Sequence, residues 1–202
     1  MELELLRDYL VRFYEQRLGL FGPGPQALGW ASQERQNRHY QAMLSALRED
    51  SLEGSRVLDY GCGMGDLLAF LKGRGVRVHY TGVDINPAFV RIAQGRHPEA
   101  TFMVLDASSQ EPPGEFDYTF VCGTFNNNLQ GMKEVALRVI GRLWGCTRRA
   151  LLFNAPSAKA RDKDPQLCYY EPQEVLEFAQ ALGRAVLRED LLEEELVLRL
   201  SR

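Results

Sequence analysis

VLDYGCGMGDL, residues 57–67, decides how this chain is read. An apolar run ends in an acid, Asp59, and glycines then stand at positions 61, 63 and 65 before an amphipathic stretch begins. That pattern marks a buried strand turning directly into a helix. Glycine tolerates positive φ and carries no Cβ, so the turn lets a ligand approach bare backbone. Charge then selects the ligand. A helix N-terminus attracts anions, and G-x-G-x-x-G is the dinucleotide fingerprint. Here Asp66 stands where the third glycine belongs, and its carboxylate opposes a pyrophosphate at the same helix end. The G-x-x-x-x-G-K-[ST] pattern is absent as well, which excludes a P-loop. The turn suits a ligand that has no phosphate and carries positive charge.

Outward from this turn, periods of two and of 3.6 residues alternate. Strands are predicted at 56–60, 79–84, 101–105, 116–122 and 150–154, with helices at 66–73, 87–96, 131–143 and 172–182 between and after them. Two closing strands, near 184–190 and 194–200, are close enough in sequence to form a hairpin. The expected fold is α/β: a doubly wound, mostly parallel seven-stranded sheet with an antiparallel strand in its C-terminal hairpin. Two further helices, at 2–18 and from Ser32 to about Glu49, precede the first strand and flank the Gly/Pro-rich segment GLFGPGPQALGW. They are read as a helical cap over residues 1–50, followed by one α/β domain over 51–202, the two forming a single compact unit. In such sheets ligands bind beyond the carboxyl ends of the strands, where strand order reverses.

Composition narrows the class. The chain has 202 residues with 45% hydrophobic and 25% charged, an ordinary composition for one compact unit. It contains no long apolar run and no signal-like N-terminus, so a cytoplasmic protein without a membrane span is expected. Cys62, Cys122, Cys146 and Cys168 are widely spaced and have no CxxC pair, which argues against a metal site or a disulfide framework. A net charge of −3 disfavours nucleic acid as a partner.

From Asp59 to Gly65 the chain resembles the class I S-adenosylmethionine-dependent methyltransferases, whose first motif is an acid followed by GxGxG. A small group of bacterial members is also similar at Gly29-Trp30, Ser32, Gln36 and the tyrosine pair 169–170. The element order agrees from residue 55 to about 200, and the specific motifs lie between 57 and 126. The resemblance implies S-adenosyl-L-methionine as cofactor, with S-adenosyl-L-homocysteine as product. It places Gly61, Cys62, Gly63 and Gly65 against the methionine and ribose portions, with Asp59 helping to hold the amino end. Asp84, twenty-five residues beyond Asp59, falls at the end of the second strand, where its two oxygens suit the vicinal ribose hydroxyls. Ile85 and Asn86 then flank the adenine, Asp106 and Ala107 face its amino group, and Cys122 and Gly123 border the sulfonium.

Methyl transfer is an in-line displacement, so the protein mainly aligns acceptor and methyl while excluding water. A small-molecule acceptor, at oxygen or nitrogen, is the expected substrate. Absence of [DN]PP[YF] after the fourth strand argues against amino groups of adenine or glutamine. Tyr14, Trp30, Asn126 and Tyr169 are the candidate acceptor contacts, and His39, Asn126, Tyr169 and Tyr170 the candidate catalytic groups. Each also has a structural reading: Tyr14 in an apolar helix face, Trp30 as a hydrophobic staple, His39 as a satisfied histidine. Other functions remain open on the residues alone: a nicotinamide oxidoreductase, a non-catalytic cofactor-binding partner or sensor, aminopropyl transfer, or a protein or RNA acceptor.

Overall fold

The computed structural model describes residues 2–47 and 51–202. Seven strands form one sheet: β1 (Arg56–Tyr60), β2 (His79–Asp84), β3 (Thr101–Val104), β4 (Phe116–Val121), β5 (Thr147–Pro156), β6 (Arg184–Arg188) and β7 (Glu195–Ser201). Their order across the sheet is β3-β2-β1-β4-β5-β7-β6. β1 to β5 pair in parallel, and β7 alone runs antiparallel to both of its neighbours. The C-terminal hairpin therefore lays its second strand inside the sheet and leaves β6 at the edge.

Successive side chains of a strand point to opposite faces, and here both faces are buried. Leu58, Val121, Leu151 and Leu198 pack with α5 (Met132–Gly145) and α6 (Pro172–Gln180) on one side. Val57, Phe120, Leu152 and Val197 pack on the other with α2 (Gln33–Leu47), α3 (Asp66–Gly73) and α4 (Pro87–Arg96). The two N-terminal helices thus play different parts. Met43 and Leu47 of α2 join the layer that covers the sheet. By contrast, α1 (Glu2–Phe21) lies over the carboxyl ends of the strands, with Leu6 and Leu10 against one core and Tyr14 and Leu18 against Phe89.

Several boundaries differ from the periodicity. α1 runs through Gly19 and stops at Phe21, before Gly22 at φ +69°. β5 extends at both ends because β4 and β7 pair along it, β7 as far as Pro156. The predicted end of α2 near Glu49 lies outside the described residues. The long segment after β5 is ordered by backbone pairing: Tyr170 N–H donates to Pro156 O at 2.9 Å and Cys168 N–H to Asn126 O at 2.8 Å. Phe153 sits fully buried in the middle of β5. Phe153→Ala should cost about 3–5 kcal/mol of stability, measured by equilibrium denaturant unfolding.

Candidate functional site

The crossovers after β1 and β4 leave in opposite directions, so a crevice opens between these neighbouring strands at their carboxyl ends. Gly61 stands at its floor with φ +75°, and a Cβ there would lie 2.4 Å from Thr124 Oγ1. Only glycine fits that crossing. Asp84, at the end of β2, accepts from Gly63 N–H at 2.9 Å and from Asn86 N–H at 2.8 Å. Burial raises its carboxyl to about 6, against the opposing effect of those backbone donors. Each carboxylate oxygen accepts one of these bonds and keeps further acceptor capacity, and Asp84 lines the cavity.

Asp59 lies one layer deeper and does not line the cavity. It accepts a hydrogen bond from the Tyr80 hydroxyl. Burial raises its pKa to about 7; the Tyr80 hydrogen bond opposes this, and Asp84 and Asp66 add to it. Gly65 likewise faces away, with His97 and Phe102 packed where its Cβ would be. Ala107 is fully buried behind Tyr60.

The cap closes the crevice from above. Leu28, in the short 3-10 turn Pro25–Leu28, would sit 2.9 Å from a Cβ on Gly63. Trp30 covers Gly123, whose φ is +66° and whose missing Cβ would fall 2.6 Å from Trp30 Cζ2. Tyr14 of α1 accepts from Asn127 Nδ2 at 2.9 Å. Arg17 donates to Gln26 O at 2.6 Å, tying α1 to the turn.

Behind Trp30 runs a buried circuit. The His39 ring lies 4.5 Å from the indole. Its Nδ1 donates to Arg35 O at 2.7 Å and its Nε2 meets Glu195 Oε1 at 2.6 Å. Glu195 Oε2 accepts from Asn154 Nδ2 at 2.8 Å, and Asn154 Oδ1 accepts from Gly123 N–H at 3.0 Å. Four polar contacts and one ring contact thus join α2, β7, β5 and the turn after β4, and return to the cap.

Among the expected site residues, Gly61, Cys62, Gly63, Asp84, Ile85, Asn86, Asp106, Cys122, Gly123, Tyr14 and Trp30 converge on one cavity. Asp106 accepts from Ser108 N–H at 2.8 Å. Asp59, Gly65 and Ala107 stand behind it, and the four catalytic candidates lie elsewhere. Both nitrogens of His39 are engaged, so it faces Trp30 and Glu195 rather than the cavity. Tyr170 donates its hydroxyl to Phe125 O at 2.9 Å inside the core. Tyr169 accepts from Asp164 N–H at 2.6 Å, with Lys163 over its ring. Asn126 does not line the cavity; its backbone O accepts from Cys168 N–H, and its Oδ1 is buried without a donor among the described residues. Sequence reasoning missed Leu28 and Ser108, which carry no motif, and the apolar inner face of α1 at Leu3, Leu6 and Leu10. For α1 the helical period was a usable signal, since those residues face one way.

A methyltransferase domain family model matches residues 57–143. The putative methyltransferase Rv1506c of Mycobacterium tuberculosis is 32% identical over 132 residues, covering 57% of this chain and 73% of that protein. This chain belongs to the class I S-adenosylmethionine-dependent methyltransferases. Trans-aconitate 2-methyltransferase of Escherichia coli O17:K52:H18 is 34% identical over 78 residues, 39% of this methyltransferase and 29% of the relative. In fold, the magnesium protoporphyrin IX methyltransferase of Synechocystis PCC 6803 with bound S-adenosylhomocysteine is similar over 98% of this chain and 99% of that one, with TM-score 0.69 and 18% identity. S-adenosylmethionine is the methyl donor of the family. The bare backbone at Gly61 and the cavity-facing carboxylate of Asp84 fit a nucleoside with a vicinal diol. Gly123→Ala places a Cβ against Trp30 at a left-handed φ. It should lower stability by about 1–3 kcal/mol and red-shift tryptophan emission as the cap lifts, measured by unfolding and fluorescence.

Proposed function

We propose that this methyltransferase acts on a small molecule enclosed beneath α1 and Trp30. The observation that carries this reading is the cover itself. Leu28 rests on Gly63, Trp30 on Gly123 and Tyr14 on Asn127, so the space past the glycine turn is roofed by the chain's own side chains. A roofed site excludes water and favours an acceptor small enough to lie inside it. Two similar proteins, the trans-aconitate and magnesium protoporphyrin IX methyltransferases, are named for small-molecule acceptors.

In this reading Asp84 accepts from the ribose hydroxyls, while Ile85, Asn86 and Asp106 surround the adenine and Ala107 backs them. Gly61, Cys62 and Gly63 hold the methionine portion, with Gly65 setting the helix behind. Cys122 and Gly123 border the reacting centre, and Tyr14 and Trp30 wall the acceptor. Asp59 acts from below as charge rather than contact. When bound, S-adenosylmethionine supplies a methyl group that an acceptor removes by in-line displacement. His39 packs against Trp30 and does not line the cavity. The acceptor therefore brings its own nucleophilic oxygen or nitrogen, such as a carboxylate or an unprotonated amine. The four free cysteines accord with a cytoplasmic setting, and among the described residues no helix is long and apolar enough to cross a membrane.

Cell extract incubated with methyl-labelled S-adenosylmethionine and the protein should gain label in its small-molecule fraction; label confined to protein or RNA would overturn the reading. Asp84→Ala should weaken cofactor binding by about 1–3 kcal/mol in calorimetry. The pH dependence has a definite sign. The carboxyls of Asp84 and Asp59 are raised to about 6 and about 7, and their ionised forms favour a sulfonium cation. Affinity for S-adenosylmethionine should fall as pH drops through that range, more steeply than affinity for uncharged-sulfur S-adenosylhomocysteine.

A further inference from the structure

Two side chains of α2 reach the cavity and have no part in the roles above. Gln36 is 1% and Tyr40 5% exposed, yet both line the cavity together with Gly61, Cys62 and Cys122. Their hydrogen bonds run in one direction. Gln33 Nε2 donates to Gln36 Oε1 at 2.9 Å, and Gln36 Nε2 donates to the Tyr40 hydroxyl oxygen at 2.9 Å. Gln36 Nε2 also lies 3.5 Å from Asp66 Oδ2, so its amide is oriented from both ends. The Tyr40 ring is held against Phe70 with centroids 5.3 Å apart. The tyrosine oxygen thus acts as an acceptor toward Gln36, and no described residue takes the tyrosine's own proton. Burial, with Cys122, Asp59 and Asp66 adding to it, holds this phenol well above its ordinary range, so it stays a donor.

A buried donor kept in place beside a cavity calls for an oxygen acceptor on the ligand. The nucleoside end is accounted for by Asp84 and Asp106, at the ends of β2 and β3. The cavity runs from there past the glycine turn to Cys122, after β4, and to α2. Of the two groups at the opposite end of the cofactor, the ammonium has only donors to offer and the carboxylate only acceptors. We propose that Tyr40, oriented by Gln36, donates to the cofactor's carboxylate, which makes α2 a cofactor-binding element and not solely part of a cover. This inference rests on S-adenosylmethionine occupying the cavity.

Calorimetric titration with two ligands tests it. S-adenosylhomocysteine carries the amino-acid end, and 5′-methylthioadenosine keeps the adenosine and thioether but lacks that end. Tyr40→Phe should weaken S-adenosylhomocysteine about tenfold or more, the scale of a lost hydrogen bond to a charged group, and leave 5′-methylthioadenosine unchanged. Gln36→Leu, which frees the hydroxyl to rotate, should move the same ligand in the same direction by less. Retained 5′-methylthioadenosine binding shows in the same sample that the variant is folded. Equal weakening of both ligands, or of neither, overturns the proposal. Wild-type protein that binds neither ligand would instead remove the cofactor site on which it rests.

Discussion

Bare backbone at the carboxyl ends of β1 and β4 is the constraint on which the rest of this architecture depends. At Gly61 the turn passes so close to Thr124, and at Gly123 so close to Trp30, that a single added carbon would overlap the neighbour. Those contacts do two things together. They let the first strand-to-helix turn open a floor against which a nucleoside can lie, and they bring the cap within van der Waals reach of the sheet. A side chain at either position would separate cover from floor.

The cap is held by polar contacts that are themselves buried, and this explains how it keeps its register. His39 is 3% exposed and Asn154 is fully buried, and Glu195 links them. Removing one member of such a set leaves a charged or polar group without its partner in a low-dielectric interior, which costs far more than the intact set contributes. The arrangement therefore specifies geometry more than it adds stability. Trp30 stands between His39 and the cavity, so its position is set by His39, Glu195 and Asn154, none of which lines the cavity.

The acids show how burial divides like residues into different roles. Asp59 stands near the end of β1, Asp84 ends β2 and Asp106 follows β3. Asp84 keeps backbone donors and a cavity face. Asp59, two residues before Gly61, is turned beneath the floor onto Tyr80, and its carboxyl is raised further because it has less to compensate its burial. Linear spacing alone makes the two look equivalent. Their difference arises from the alternation of side chains across β1 and from where Tyr80, on the neighbouring strand, presents its hydroxyl.

Local and periodic features were legible in the residues alone. β1, β2, α3 and α4 stand at the residues their patterns indicate, because buried strands and amphipathic helices are written in apolar spacing and the glycine turn in three residues with no Cβ. The family and the motif residues that line the cavity followed from the same short stretch. Tertiary structure alone decided which distant residues share the site. Tyr169 and Tyr170 are adjacent and aromatic, but the backbone pairing of Cys168 to Asn126 and of Tyr170 to Pro156 turns them away from the cavity. Gln36 and Tyr40 lie beside Cys122 because α2 packs against β5, β7 and α3. Contacts between residues far apart in the chain leave no period to read, since each depends on how whole elements pack.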